Sequence, residues 1–318
     1  MRKTLNREII CGRVYEHTLT KKVTGPESKN PGTEYIGGEL SIATDADNLN
    51  VVTVHFTYVT ATTKKGQTNS TYTALAKIID EGKTVIIDGS DEATLVKVNT
   101  SLGLNEFPSN RNGQEEMVCA KRNEGGFVTI LSSLAKENDR NKFEFDMLIN
   151  GTRRVEADEE RNIPEDYVIV KGAIFDFRNA MLPVELVCRN SDGMNYFESL
   201  DASASNLVFT KVWGEISSQT IITKREEASA FGEPAIREYS RTIKEWTITG
   251  CNPEPYELGD ETNGITADEI KQCMADREVH LADVKKRAEE WQSQRAAANT
   301  AAPTNQATAP AAVGGFNF

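Results

Sequence analysis

The sequence is poor in the residues that build catalytic and metal centres. It has only three histidines and five cysteines among 318 residues. The histidines lie in separate segments, and no two cysteines have the CxxC spacing of a zinc site. The patterns GxxxxGKS/T, GxGxxG and GxSxG, typical of nucleotide-binding proteins and hydrolases, are also missing. We therefore expect no metal, no cofactor and no enzymatic activity. An enzyme with an unfamiliar site is the remaining alternative.

The sequence also lacks a long apolar run and an excess of basic residues. No stretch approaches the roughly 20 apolar residues that span a bilayer, so we expect a cytoplasmic protein, in the host cytoplasm if it is viral. The formal net charge is −12, and residues 151–264 hold 12 basic against 21 acidic side chains. Such a protein has no overall field that attracts duplex nucleic acid. Any surface that binds anions must be local.

Alternating apolar and polar residues predict a first region of β-strands. Strands are predicted at 9–19, 34–44, 50–62, 93–104 and 116–131, the last as a hairpin at Gly125–Gly126. A helix at 70–82, capped by Ser70 or Thr71, stands between the third and fourth strands. In the third strand, Phe56 and Tyr58 share their side with Val52 and Val54, which predicts that both aromatics lie in the core.

A second region repeats this order of elements. Strands are predicted at 142–157, with a hairpin at Asn150–Gly151, and at 166–177, 182–189, 206–223 and 236–250; a short helix is predicted within 194–203. Three strands, a helix and two strands is the order of the OB-fold, a five-stranded Greek-key barrel. Immunoglobulin-like and jelly-roll sandwiches are the rival architectures, but they usually have no helix at that position. We predict a mainly β protein with two OB-like barrels in tandem, and the shared order favours an internal duplication.

A long helix and a low-complexity tail follow the strands. Thr266 and Glu269 form a capping box at the start of a helix that runs to about residue 296. Its narrow apolar stripe either packs on the barrels or pairs with another chain in an oligomer. The remaining residues are rich in Ala, Pro, Thr and Gln, which predicts disorder. The predicted divisions are 1–135, 136–262, 263–296 and 297–318.

One strand carries the main candidate surface. In NLVFTKVWGEI (206–216), Val208 and Val212 share one side, and Phe209, Lys211 and Trp213 share the other. Bases of any identity stack on aromatic rings, and a neighbouring lysine can meet the phosphate. The second side therefore predicts a platform for single-stranded nucleic acid. Burial under the C-terminal helix or between the domains is the alternative.

Other residues extend this candidate surface. In the second region they are Lys171, Phe175, Phe177, Arg178, Arg189 and Lys224; in the first region they are His55, Lys64, Lys65 and Lys97. Lys64 and Lys65 belong to a polar loop that could close over a bound strand or be an ordinary solvated turn. Such a surface fits single-stranded DNA or RNA.

The tail AAVGGFNF and the order of strands resemble bacterial and phage single-stranded DNA-binding proteins with OB-fold domains. The similarity implies that the tip, with Phe316 and Phe318, binds replication proteins. This tip departs from the family because it has no acidic side chain. The resemblance implies a phage-type protein of DNA replication or recombination that binds single-stranded DNA. The alternative is a phage virion or assembly protein made of β-domains, whose aromatic face contacts protein.

Overall fold

The computed structural model describes residues 4–111, 114–158, 163–227, 231, 235–260 and 264–301. The side chains of 111, 114, 221–227, 235, 238, 240 and 295–301 lie outside that description. The first half contains strands β1 (Asn6–His17), β2 (Thr20–Val23), β3 (Glu34–Ala43), β4 (Val51–Thr60), β5 (Leu95–Arg111) and β6 (Gln114–Leu131). Helix α1 (Ser70–Glu81) and the one-turn helix α2 (Val85–Asp88) lie between β4 and β5.

The second half follows a short 3-10 turn at Glu137–Asp139. It contains strands β7 (Asn141–Val155), β8 (Tyr167–Phe175), β9 (Met181–Cys188), β10 (Val208–Glu227) and β11 (Ala235–Cys251). Helix α3 (Ser191–Ser199) lies between β9 and β10, and helix α4 (Ala267–Ala301) closes the described chain.

Both halves close into five-stranded barrels. In the first, β1 pairs with β3, β3 with β4, β4 in parallel with β6, and β5 joins β6 back to β1. In the second, β7 pairs with β8, β8 with β9, β9 in parallel with β11, and β10 joins β11 back to β7. Each barrel has a helix between its third and fourth strands. This is the OB-fold arrangement, and the predicted mainly β fold class is confirmed.

Antiparallel pairing of β1 with β7 joins the two barrels. The segment Asn6–Ile10 of β1 runs against Asn141–Phe145 of β7, so the first strands of the two barrels lie side by side. The buried core is continuous across this joint. Phe143 and Phe145 stack there with ring centroids 4.7 Å apart. The joint is therefore built from main-chain hydrogen bonds and from buried aromatic surface.

Two glycine-containing pairs that predicted hairpins lie inside continuous strands instead. Gly125 and Gly126 lie within β6, where an added Cβ would come 2.4 Å from the Phe56 ring and 2.3 Å from the Asn99 carbonyl oxygen, respectively. Close approach of neighbouring groups, and not a turn, is what requires glycine here. Asn150–Gly151 lies within β7, where the pairing register with β8 shifts between Ile149 and Gly151. Both predicted hairpins were wrong: glycine permits a close approach in β6 and lies at a register shift in β7, and neither requires the chain to reverse.

The predicted helix caps had mixed outcomes. Helix α1 is capped by Asn69, whose side-chain oxygen accepts a hydrogen bond from the Thr71 amide at 3.1 Å, so the predicted cap at Ser70 or Thr71 was wrong. The capping box of α4 is confirmed. The Glu269 amide donates to Thr266 Oγ1 at 3.2 Å, and the Thr266 amide donates to the Glu269 carboxylate at 2.9 Å.

The chain forms two compact units. The larger comprises both barrels and the first turns of α4. The smaller comprises the tips of β5 and β6 (Glu106–Cys119) together with α4 from Glu278 onwards. Within the smaller unit, His280 Nε2 lies 3.0 Å from Glu106 Oε2, and Lys285 Nζ lies 3.1 Å from Glu115 Oε2.

A buried carboxyl group sits at the joint between the barrels. Glu8 of β1 has no solvent exposure. It accepts hydrogen bonds from the Trp246 indole nitrogen and the Thr100 hydroxyl, both at 2.8 Å. Burial raises the pKa of Glu8 to about 7, although both hydrogen bonds oppose that rise. Between about pH 4.5 and pH 7, the folded protein therefore keeps a proton on Glu8 that the unfolded chain has already released.

We predict that this carboxyl group makes stability fall as the pH rises. Its contribution is fully present below the ordinary pKa of 4.5 and is lost as the pH rises through about 7. The loss amounts to about 3 kcal/mol in free energy of unfolding. Glu8→Gln removes this dependence, whereas Glu16→Gln, at an exposed position of the same strand, retains it. Urea unfolding between about pH 5 and pH 8 measures both. Identical pH profiles for Glu8→Gln and the unsubstituted protein would contradict the assignment.

Candidate nucleic-acid interface

The predicted platform on the second barrel is largely covered. Phe209 and Phe175 are fully buried, with ring centroids 6.5 Å apart in an edge-on contact. They form a small core with Ile270 and Cys273 of α4 and with Ile265 before it. The prediction that Phe175 and Phe209 stack on bases was therefore wrong. The start of α4 covers the outer side of the barrel because two adjacent rings there offer a large apolar area to bury.

Two members of that platform remain at the surface. Trp213 is 37% exposed, and its ring lies against Gly250, where an added Cβ would come 2.5 Å from the indole nitrogen. Lys211 is half-buried, and its ammonium nitrogen lies 3.7 Å from a carboxylate oxygen of Glu144. Trp213 and Lys211 therefore remain on this side of the strand, but the second ring that the sequence pattern predicts there, that of Phe209, is buried.

Two other predicted cations of the second barrel face carboxylates. Lys171 Nζ lies 3.2 Å from Glu185 Oε1. Arg189 donates to Glu245 at 2.8 Å, and this bond raises the pKa of the guanidinium group. The Arg189 guanidinium also lies 4.8 Å from the Tyr167 ring centroid. A phosphate would have to displace these carboxylates before it could bind.

The turn between β8 and β9 presents a predicted cation that lies over an aromatic ring. Phe177 is 79% exposed, and the Arg178 guanidinium lies over its ring at 4.9 Å from the centroid. Asp176 holds the turn by accepting hydrogen bonds from the Arg178 and Ala180 amides at 2.7 and 2.8 Å. Phe177 and Arg178 therefore form an exposed ring-and-cation pair on a fixed turn.

Two predicted residues of the tail, Phe316 and Phe318, lie outside the described residues. Lys224 is in β10, opposite Glu238 in the strand register, but its side chain lies outside the description. Lys97 is described; it is half-buried on β5 and opposite Cys11 of β1.

A β-bulge on the first barrel brings an unpredicted aromatic residue to the surface. Between the pairs Ile36–Val59 and Gly38–Phe56, β4 has one more residue than β3. Phe56 still points into the core, but Tyr58 is 46% exposed. The prediction that Tyr58 lies in the core was wrong, because the extra residue of a bulge reverses the alternation that follows it.

Tyr58 forms a surface pair with Tyr35 of β3. Their ring centroids are 4.6 Å apart, with the planes tilted by 42°. Lys22 of β2 lies opposite Tyr35 in the register and is exposed. No ion pair of Lys22 occurs among the residues that the structure describes. The neighbouring Lys21 instead contacts Asp80 of α1 at 2.6 Å, because successive side chains of a strand point to opposite sides.

The loop that follows β4 presents two further lysines. The Thr63 amide donates to the Gln67 carbonyl at 2.8 Å, and the Gly66 amide donates to the Thr63 carbonyl at 2.9 Å. Gly66 has a φ of +74°, which favours glycine at this point of the turn. Lys64 and Lys65 are exposed at the tip, with no ion pair within the described ranges. We name Lys22, Tyr35, Tyr58, Lys64 and Lys65 the tyrosine patch.

His55 lies further along the same outer side of β4. It is half-buried, and its Nδ1 is 3.2 Å from a carboxylate oxygen of Glu39. Burial lowers the pKa of His55 more than any other influence. At neutral pH it is therefore an uncharged hydrogen-bonding group beside the tyrosine patch.

Sequence reasoning missed Lys22, Tyr35 and Tyr58. The available signal was the twin glycine in YIGGEL, since paired glycines in a strand often mark a bulge or a close approach of another backbone. Nothing in the alternation of β4 by itself reveals the extra residue. The position of the bulge becomes visible only when β3 and β4 are paired.

The part of the chain that the structure describes contains no group of three or more histidine, cysteine or carboxylate side chains placed to hold a metal ion. None of its helices is both long enough and apolar enough to cross a membrane.

The YorF family model matches residues 6–287 of this sequence. No curated protein matches significantly. Among solved structures, the wild-type single-stranded DNA binding protein of Thermus aquaticus covers 82% of this chain and 100% of its own, at 10% identity and a TM-score of 0.44. A deletion mutant of that protein gives 9% identity and a TM-score of 0.45 with the same coverage. Likeness at this level says nothing about what the present chain binds.

We predict that the buried and exposed phenylalanines of the second barrel differ in their effect on stability. Phe209→Ala leaves a cavity under α4 and lowers the free energy of unfolding by about 3–5 kcal/mol. Phe177→Ala, at an exposed turn, changes it by less than about 0.5 kcal/mol. Urea unfolding of both variants measures the difference. Equal effects would mean that α4 does not cover Phe209 in solution.

Proposed function

The chain belongs to the YorF family, and we propose that it is a non-enzymatic protein that binds single-stranded DNA. Bases stack on Tyr35 and Tyr58 of the first barrel. Lys22, Lys64 and Lys65 neutralise the phosphates on either side. No step of this binding requires a metal or a cofactor.

The observation that carries the proposal is the pair of tyrosine rings in contact at the surface. Rings at a centroid distance of 4.6 Å would normally lie in a core, since burial of aromatic surface is favourable. Tyr58 instead keeps 46% of its surface in solvent. Each base that stacks on such a ring gains roughly 1–3 kcal/mol whatever its identity. The pair is on the second and third strands of an OB barrel, a face that binds oligonucleotides in other OB-folds.

The distribution of charge supports the same proposal. The whole chain carries a net charge of −12, which opposes binding to duplex DNA. The three lysines of the tyrosine patch are exposed, with no carboxylate contact among the described side chains. A local cationic site in an acidic protein favours a flexible single strand, which can follow one narrow track and avoid the negative remainder.

The second barrel offers a smaller contact. Phe177 stacks on a base while Arg178, 4.9 Å above its ring, meets a phosphate. Trp213 with Lys211 contributes in the same way. Lys171, Arg189 and Lys224 add to the field around these residues. They are secondary because Lys171 and Arg189 already lie against carboxylates.

The resemblance in strand order and tail supports a finer proposal. The protein acts in DNA replication or recombination, is encoded by a phage, and works in the cytoplasm of the host. Phe316 and Phe318 bind a replication protein, and α4 supports an oligomer. A virion or assembly protein would use the tyrosine patch against protein, and it would not bind oligonucleotides in the experiments below.

We predict that removal of one ring weakens binding and that removal of its hydroxyl group does not. Tyr58→Ala lowers affinity for a labelled single strand of about 15 nucleotides by about 5- to 100-fold. Tyr58→Phe retains the stacking surface and the affinity. Fluorescence anisotropy measures both, and a thermal melt confirms that each variant is folded. Unchanged affinity in Tyr58→Ala, or equal affinity for duplex, would exclude the proposed site.

We also predict how binding responds to salt. Single strands release counterions with a slope of about −0.7 per neutralised phosphate in a plot of log affinity against log salt concentration. Replacement of Lys22, Lys64 and Lys65 by alanine should therefore reduce the slope by about 2. Lys77→Ala, at an exposed position of α1, serves as the control and leaves the slope unaltered. A triple variant with the original slope would show that phosphates lie elsewhere.

A further inference from the structure

We propose that the binding track of the first barrel continues onto the β10–β11 hairpin of the second barrel, so that one DNA strand contacts both barrels. This inference rests on the function proposed above and adds the length and the path of the ligand. The residue that carries the continuation is Lys244 of β11.

The hairpin is seated directly against the start of β4. Asn50 forms an isolated β-bridge with Gln219 of β10. The Asn50 side-chain oxygen accepts a hydrogen bond from the Ser218 amide at 2.7 Å. Two barrels that are already joined through β1 and β7 thus meet a second time, at the end of β4 opposite to Tyr58. Because β11 pairs with β10 along this stretch, the second contact also brings β11 to the first barrel.

Lys244 lies one strand away from this second contact. It is opposite Ser218 in the register of β10 and β11, and Ser218 is the residue whose amide holds Asn50. Lys244 is exposed. It forms no ion pair within the part of the chain that the structure describes. An ammonium group at this place has no described ion pair to break, unlike Lys171 or Lys211.

The charges around His55 show that Lys244 and β4 share one electrostatic neighbourhood. Besides burial, the positive charges of Arg122 and Lys244 lower the pKa of His55. Glu39 and Glu124 act in the opposite direction. Arg122 contacts Glu124, and His55 contacts Glu39. Of Arg122, His55 and Lys244, only Lys244 has no carboxylate contact within the described residues.

The surface between the tyrosine patch and Lys244 is polar and continuous. Thr53 and His55 alternate on the outer side of β4, and the Thr53 hydroxyl lies 3.2 Å from that of Ser41 on β3. From Tyr58 to Asn50 the strand covers about 27 Å at roughly 3.4 Å per residue. A DNA strand that stacks on Tyr58 can follow this line past His55 and Thr53 towards Lys244; Val51, on the same side, is half-buried.

The same side of β11 is also polar next to Lys244. Thr242 lies two residues from Lys244 and therefore shares its side of β11. Its hydroxyl is 3.1 Å from that of Thr220 on β10. Both are exposed hydrogen-bonding groups. A strand long enough to pass Lys244 thus meets a further polar surface, whereas a short strand is held by the tyrosine patch alone.

The test compares two lengths of oligonucleotide in the full-length protein. OB-folds cover about 4–16 nucleotides each, so labelled single strands of about 6 and about 20 nucleotides separate one contact from two. We expect the unsubstituted protein to bind the longer strand more tightly. Lys244→Ala should weaken binding of the longer strand about tenfold and leave the shorter one unchanged. Lys244→Arg keeps the charge and should restore most of the loss. Lys77→Ala should affect neither strand.

Each alternative result has one meaning. If Lys244→Ala weakens neither strand, or weakens both equally, the hairpin does not extend the track and the inference is overturned. The inference also fails if the unsubstituted protein binds both lengths equally. If neither length binds at all, or if Tyr58→Ala leaves the short strand unaffected, the proposed function itself is wrong. A thermal melt of every variant separates loss of binding from loss of folding.

Discussion

Pairing of β1 with β7 is the interaction on which the rest of the structure depends. Five residues of each strand form the joint, and the same strands also close the two barrels. Glu8 is buried in this joint with Trp246 and Thr100 as its partners. Because Trp246 belongs to the long hairpin of the second barrel, the joint also determines where that hairpin crosses the first barrel. The proposed binding track exists only while this geometry holds.

Tertiary packing decides which aromatic rings are buried and which remain at the surface. Phe175 and Phe209 have the alternation of surface residues, but α4 covers them because their combined apolar area is better removed from water. Tyr58 has the alternation of a core residue, but a bulge turns it outwards. In both cases a local pattern is overruled by an element distant in sequence or by the pairing partner. The proposed function uses the rings that remain exposed.

Electrostatics divides the surface in a similar way. On the second barrel, Lys171, Arg189 and Lys211 each lie near a glutamate. Surface pairs of this kind add little to stability, but they reduce the attraction for a phosphate. On the first barrel, the cations of the tyrosine patch lie on an edge strand and a tight turn. Basic side chains of the two barrels therefore differ in their neighbours: a glutamate lies near each of the three on the second barrel, whereas those of the tyrosine patch have no described carboxylate contact.

The sequence by itself determined most of the elements and their order, although β2 and α2 were not predicted. Alternation and helix periodicity identified the strands, the two helices between them and the capping box of α4, because these signals arise from neighbours a few residues apart. The order of elements then predicted two OB-like barrels. Only the tertiary structure decided that α4 covers Phe209, that Tyr58 pairs with Tyr35, and that Ser218 of β10 binds Asn50. Those contacts join residues that are about 20 to 170 positions apart in the chain, and the alternation within one strand carries no information about which distant strand or helix will lie against it.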